Sequence, residues 1–382
     1  MSIILYVGMD VHKESFTLCT FCMEKDEIKH TMKMAATVHN VLQYLDSIKR
    51  KYGNEEIEFR CGYEAGCLGY TLYRDLTASG VNCVILAPST MSQHDGTKRI
   101  KTDSRDAANI AKCLAYHTYK PVAVPTTEDE QVKEYIRMRD DMKAAEKRVK
   151  QQILAFCLRH NLRFEGTKDH WTQGHLNWLH ALKLPGLDQE TLLDYLLELD
   201  HLREKLARID RRIEELAALP RYADQVRRLC CFIGVKTHTA LAVISEVGDF
   251  ERFAKADRFA SFLGLTPGEH SSSESQHRLP ITKAGNAHVR RLLVEAAHSY
   301  GRGKIGYKSA ELRRRQEGLS PQVVAYADKA NERLRRKYYR MTLNNGKKAN
   351  IAKVAVAREL ACFFWGILTN HFLPSDSLFA LP

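Results

Sequence analysis

Five short β-rich runs in the first 87 residues, and the lengths of the segments between them, leave few folds open to this chain. Residues 3–10 are apolar and end on Asp10; a polar break, His12-Lys13-Glu14-Ser15, follows, and residues 16–21 resume as a second strand. Residues 27–34 alternate, with Ile28, Met32 and Met34 on one side, so that together the runs predict a three-stranded antiparallel meander. Val38, Leu42, Leu45 and Ile48 then take helical spacing up to Gly53. Residues 56–63 read as a fourth strand ending at Glu64, residues 68–79 as a helix closed by Gly80, and residues 81–87 as a fifth strand stopped by Pro88. A loop over residues 89–101 leads to a further helix, whose first turns carry Asp103 and Asp106.

The order βββαβαβ followed by a helix is that of the ribonuclease H fold, an α/β architecture in which the first and fourth strands are neighbours. That adjacency predicts convergence of Asp10, Glu64 and the pair Asp103 and Asp106, which lie three apart and share one helix face. Taken alone, Asp103 and Asp106 read as an N-cap and a first-turn acid favoured by the helix dipole. Asp10 and Glu64 weaken that reading, because a carboxylate at the end of an apolar strand is costly. Brought together, these acids make a hard, all-oxygen site for Mg²⁺ or Mn²⁺.

At 382 residues the chain exceeds one ordinary core, and two or three domains are expected. Its formal charge of +12 favours a polyanionic partner, nucleic acid being the usual one and a membrane surface the alternative. No apolar run reaches the roughly 18 residues of a spanning helix, and residues 1–10 lack the basic start of a signal peptide, so a cytoplasmic protein is expected. The ten cysteines are scattered, mostly in apolar surroundings, as buried thiols of a reducing compartment would be. Cys19 and Cys22 have C-x-x-C spacing, but no second pair is placed to complete a zinc site, and the pair lies in a strand-like run rather than opening a helix.

Pro121 and Pro125 close the first domain, and from Thr126 the chain turns helical and charged. Leu192, Tyr195, Leu199, Leu202, Leu206, Ile209, Ile213 and Leu216 recur in steps of three and four, a heptad seam compatible with a self-packing helical hairpin or a dimerising coiled coil. The mostly α remainder contains a loop at Gly234 before an apolar helix, a candidate helix-hairpin-helix, although Lys236 stands where that module has its second glycine and a plain helical turn fits as well. Residues 266–286 form a polar stretch with three consecutive serines, Ser271 to Ser273, flanked by bases. A serine run by itself reads as a flexible surface loop; nearby guanidinium and ammonium groups would instead stabilise the charge developing on a phosphate under attack. Between residues 302 and 348, 14 Lys and Arg outweigh four acids and surround Tyr338 and Tyr339, as suits a surface that tracks a nucleic-acid backbone. The candidate nucleic-acid contacts are Lys101, Arg105, Lys236, Arg278, Lys283, Arg290, Arg291, Arg335, Arg336 and Lys337.

Val7-Gly-Met-Asp-Val-His-Lys13, Tyr63-Glu64, Lys101-Thr-Asp-Ser-Arg-Asp-Ala107 and Gly264-Leu-Thr-Pro267 through Ile281-Thr-Lys-Ala-Gly-Asn286 together resemble the DEDD transposases of the insertion sequence one-ten family, recombinases guided by a bridge RNA. The resemblance covers nearly the whole chain, with the motifs in the family's order. It implies a RuvC-like ribonuclease H domain over residues 1–125, a helical coiled-coil spacer over 126–219 and a C-terminal transposase domain with a serine loop over 220–382. It also implies that Asp10, Glu64, Asp103 and Asp106 are catalytic and metal-binding. The family shows a serine followed by glycine; the glycine position here is Ser273, and counting back from Ile281-Thr282-Lys283 makes Ser272 the nucleophile, with Ser271 as runner-up. The implied partners are double-stranded DNA and a guide RNA, in a homodimer or homotetramer working at the nucleoid of a bacterial or archaeal cell. Two other readings remain at this point. One is a structure-selective nuclease such as a junction resolvase, and the other a non-catalytic nucleic-acid scaffold.

Overall fold

In the computed structural model, β1 (Ile3–Val11) lies at the centre of a five-stranded sheet. Residues 3–53, 55–66, 68–92, 102–166, 170–272 and 275–372 are described, with the backbone alone at 269–272 and 275–278. The chain divides into two compact units, Met1–Val124 and Pro125–Pro382.

In the first unit β2 (Ser15–Cys22) and β3 (Glu27–Ala35) continue β1 as an antiparallel meander. Helix α1 (Val38–Tyr52), started by the Thr37 side chain accepting from Asn40 N, carries the chain back to β4 (Ile57–Glu64), which pairs parallel with β1. Helix α2 (Thr71–Ala78) then leads to β5 (Cys83–Leu86), and the sheet order is β3-β2-β1-β4-β5. Both faces are covered, and the period of two in β1 divides its residues between them. Leu5, Val7 and Met9 share a core with Val41 and Ile48 of α1 and Leu76 of α2. Tyr6 joins Phe21 and Leu86 under α3 (Asp103–Tyr116), which contributes Ala107, Ile110, Ala111 and Leu114. Gly8 lies on this second face, where a Cβ would stand 2.0 Å from the Ala107 carbonyl oxygen and 2.4 Å from the Ala111 nitrogen. Glycine on the strand and alanines on the helix therefore let α3 rest directly on β1. The mixed α/β sheet fits a ribonuclease H-like domain.

In the second unit α4 (Thr127–Arg159) is followed by α5 (Gln173–Ala181) and α6 (Gly186–Ala217). Helices α4 and α6 run antiparallel, tied by Arg139 to Asp210 at 2.8 Å and by Arg203 to Glu146 at 3.8 Å. The seam residues Leu192, Leu199, Leu202, Leu206, Ile209 and Ile213 are buried within the chain, against Val149, Ile153 and Phe156 at one end and Val132 and Ile136 at the other. The second of these groups shares its core with α7 (Pro220–Leu229), α8 (Thr237–Val247) and α9 (Ala256–Phe262), so the region read as a spacer is continuous with the C-terminal helices. A hairpin of β6 (Pro267–Ser272) and β7 (Ser275–Ile281) follows, then α10 (Ala287–Ala297), α11 (Ala310–Gln316), α12 (Pro321–Tyr339) and α13 (Ala349–Leu368). Gly234, in the turn between α7 and α8, is left-handed (φ +79°), and the place of its Cβ is filled by the Ala296 carbonyl oxygen at 2.3 Å. That glycine thus serves the packing of α10. No helix among the described residues is long and apolar enough to cross a membrane. The described cysteines, Cys19 and Cys22 included, are free and buried.

Candidate functional site

Asp10 is near the end of β1, on the face of Gly8, and the helix seated on Gly8 begins with Asp103. Thr102 caps that helix by accepting from Arg105 N, which leaves the Asp103 side chain free for other contacts. His12 Nε2 lies 3.2 Å from Asp10 Oδ2 and 3.9 Å from Asp103 Oδ1, and Lys33 of β3 donates to Asp103 Oδ2 at 2.9 Å. One ligand atom from each of Asp10, His12 and Asp103 falls within 4.8 Å of the others. Burial pushes the Asp10 carboxyl above its usual range; His12 opposes this, while the charges of Asp106 and Asp103 push it further. The Lys33 ammonium holds Asp103 low. A half-buried carboxylate repelled by two more is a donor set that a divalent cation relieves, so the residues present fit such an ion. The set departs from the all-oxygen expectation by including an imidazole.

Asp106 shares the first turn of α3 with Asp103 and acts on Asp10 through its charge. Glu64 is exposed at the end of β4; the residue before it, Tyr63, pairs with Met9, the residue before Asp10. The parallel register thus brings the two strand-end acids to the same edge. In the sequence His12 reads as part of a polar break. The signal for it was its spacing, two residues beyond Asp10 at a strand end.

The serine stretch, expected as a loop, is a β-hairpin. Its register pairs Ser271 with Gln276 and Ser272 with Ser275, so Ser272 is the last paired residue of β6. Arg278 of β7 pairs with Glu269 through the backbone. The pairing is imposed from the base. Thr282 N donates to Thr266 O at 2.9 Å, Lys283 N to Gly264 O at 3.1 Å, and Asn286 N to Phe262 O at 3.2 Å. Gly264 (φ +64°) and Gly285 (φ +106°) make this closure sterically feasible: a Cβ on Gly285 would stand 1.9 Å from the Phe262 oxygen, and one on Gly264 2.4 Å from that of Ala284. Arg290 donates to Leu263 O at 2.8 Å and so braces the same base, while Lys283, itself left-handed, is exposed.

A profile described as "Transposase IS116/IS110/IS902 family" matches residues 226–309, and a DEDD transposase profile matches residues 7–160. The chain is 35% identical to the "Transposase for insertion sequence element IS1533" of Leptospira borgpetersenii, over 87% of this chain and 95% of that one. It is 34% identical to the "Putative transposase y4qE" of Sinorhizobium fredii over 95% of this chain and 88% of that one. A third relative, the "Transposase for insertion sequence element IS1111A" of Coxiella burnetii, is 25% identical over 86% and 88%. The chain belongs to the IS116/IS110/IS902 family of transposases. It is an enzyme that cuts and rejoins DNA.

The basic residues of this transposase divide by burial. Arg335 is only 5% exposed and donates to the carbonyls of Lys304 at 2.6 Å and Tyr307 at 3.1 Å, which makes it a clamp on the loop before α11. It is held away from solvent, contrary to its expected place on a phosphate-binding surface. Lys337 is 2.7 Å from the buried carboxylate of Glu359, which Arg333 also contacts. Arg336 is largely exposed and pairs with Glu332 one turn back. With Lys329, Arg333, Lys337, Tyr339 and Arg340 it lines a cavity of about 780 Å³, bordered by a π-helical turn, Arg340–Asn344. Lys236 is exposed and 3.3 Å from Glu311. Arg105 is exposed on α3, Arg291 contacts Asp140 and Glu295, and Lys101 lies outside the described residues.

Proposed function

We propose that this transposase moves an insertion sequence by forming a covalent serine–DNA link, with the carboxylate edge of the first unit supplying a divalent-metal site and a bridge RNA choosing the DNA. The observation that carries the metal part is the meeting of Asp10, His12 and Asp103, made possible by the seat of α3 on Gly8. A Mg²⁺ or Mn²⁺ ion held there, with Asp106 and Glu64 at the same edge, would neutralise charge building up on a phosphate. Serine chemistry is supported by the placement of Ser272 at the tip of a hairpin whose base is fixed. Its Oγ would attack phosphorus, the bond to the departing sugar oxygen would break, and the proton lost from Oγ would end on that oxygen. The phosphodiester energy would be kept in the serine ester for rejoining. Lys283 and Arg278 are the nearest cations in sequence that could steady the phosphate.

In this reading residues 1–125 hold the metal, the α4–α6 pair acts as a spacer, and the helices beyond residue 219 carry the serine. DNA and guide RNA would be gripped by exposed cations such as Arg336, Lys236 and Arg105, and two DNA partners would require a dimer or tetramer, at the nucleoid. A labelled element end with its guide RNA, resolved on a denaturing gel, tests the reading. Ser272→Ala should abolish the protein–DNA adduct and leave DNA binding intact, while Ser271→Ala should do less. An adduct surviving the Ser271/Ser272/Ser273 triple alanine variant would end the serine mechanism.

A further inference from the structure

Helices α4, α8 and α10 converge on ionised groups that the reaction does not use. His288, in the first turn of α10, places Nε2 2.7 Å from Asp140 Oδ2 on α4 and Nδ1 3.0 Å from Glu246 Oε1 on α8. Both ring nitrogens therefore face carboxylates, an arrangement that a doubly protonated ring satisfies. Those hydrogen bonds to Asp140 and Glu246 raise His288 to about 9. Further groups face the same carboxylates from each helix. Arg137 on α4 donates to Glu246 at 2.8 Å, the His238 ring on α8 lies 3.2 Å from Asp140, and the Arg291 guanidinium on α10 contacts Asp140. Lys133 of α4 stands 3.5 Å from Glu246, whose side chain is 1% exposed. A cluster of this kind usually stabilises less than apolar side chains of the same volume, because each charge is desolvated. Its value then lies in holding one geometry.

That geometry runs outward to the serine hairpin. Asn286 donates to Glu246 Oε2 at 2.9 Å with one end of its amide, and its other end caps α10 by accepting from Val289 N at 3.0 Å. The Asn286 backbone N–H bonds Phe262 O, against which Gly285 is pressed, and three and four residues before Asn286 the N–H groups of Lys283 and Thr282 bond Gly264 and Thr266, just ahead of β6. A continuous series of short contacts thus leads from His288 to the base of β6 and β7.

We infer that the Asp140–His288–Glu246 cluster is a positioning device: through Asn286 it sets the base of the β6–β7 hairpin, and so the place of the serine that attacks DNA. This rests on the proposed serine mechanism. His288 and Asn286 are positioning residues, acting through the hairpin.

The test uses full-length protein with its guide RNA and labelled element end. His288→Gln removes the bridging cation, His288→Lys keeps one, and Asn286→Ala cuts the tether while leaving the cluster itself in place. Hydrogen exchange is followed in peptides covering residues 266–286 and, as an internal control, α6. We expect His288→Gln and Asn286→Ala to speed exchange in the hairpin and slow adduct formation, each about tenfold or more, as loss of a supporting partner commonly does. Exchange in α6 should stay at the wild-type rate, and His288→Lys should recover part of both losses. Unchanged hairpin exchange in both variants, equal loosening of α6, or failure of His288→Lys to recover anything would overturn the inference. A wild-type adduct rate in both variants would do so as well, provided Ser271/Ser272/Ser273 triple alanine protein loses the adduct. If that triple variant keeps the adduct, the serine reading itself fails.

Discussion

Arg335 and Arg336 are neighbours in sequence with opposite fates. Arg335 falls four residues after buried Asn331 and eight after buried Ala327, so the helix turns it inward, where it satisfies two carbonyls. Arg335→Ala should therefore destabilise the protein by about 1–3 kcal/mol, through loss of the buried guanidinium's charged hydrogen bonds to two loop carbonyls, and thermal melting measures the loss. Arg336→Ala should leave the melting temperature almost unchanged and reduce the slope of log K against log salt for DNA by about one unit. A normal slope in Arg336→Ala would place the nucleic acid elsewhere. His288 gives a second prediction at this scale. Its folded value, about 9, is above the ordinary 6.5, so its stabilisation is complete below pH 6.5 and is lost as pH rises through 9. Asp140 and Glu246 are held low by the same contacts, and their contribution fades instead as pH falls into the acid range. Melting temperature should thus decline between pH 6.5 and 9 in the wild type and stay flatter in His288→Ala. That variant should lose about 1–3 kcal/mol near pH 6, since buried Glu246 and half-buried Asp140 each lose one charged hydrogen bond while keeping Arg137 and Arg291.

At the scale of elements, the carboxylate edge depends on one contact, that of α3 with β1 at Gly8. Gly8→Ala should force the helix off the strand, cost about 1–3 kcal/mol or more, and weaken Mn²⁺ binding in calorimetry, because Asp103 and Asp106 travel with the helix. Binding that is unchanged in Gly8→Ala would mean that the helix is not what brings the acids together. The sheet was legible in the sequence because β1 and β2 are short apolar runs bounded by brief polar breaks, and the order of segments alone put β1 beside β4. The hairpin was not, because a serine-rich run has no apolar alternation. Its pairing is imposed by Gly264 and Gly285, which sit outside the strands they align. The His288 cluster left no local pattern at all, its members lying on three helices more than a hundred residues apart in places. His12 stands in the run His12-Lys13-Glu14-Ser15, whose polarity by itself signals only a solvated break between strands.

For the whole molecule, the heptad seam left a choice between self-association and packing within the chain, and its residues are spent on the contact of α6 with α4. Charges placed at Leu206 and Ile213, which are 6% and 1% exposed, should unfold the helical unit rather than split an oligomer. Light scattering together with circular dichroism separates the two outcomes; intact helicity with a halved mass would restore the seam as a subunit interface.

The position of β1 in the middle of its sheet bears on how copies of such an element decay in a genome. A deletion that removes the first dozen codons takes out the central strand and Asp10 together, so the first unit is lost as a whole. The second unit has a separate core, and a reading frame surviving only from residue 125 onward would still encode it. On the proposed reading, in which exposed cations of the second unit grip DNA, such a remnant would occupy element ends and leave them uncut. A damaged copy would then act as a competitor of its intact siblings, and the number of remnants in a lineage would set a brake on further jumps.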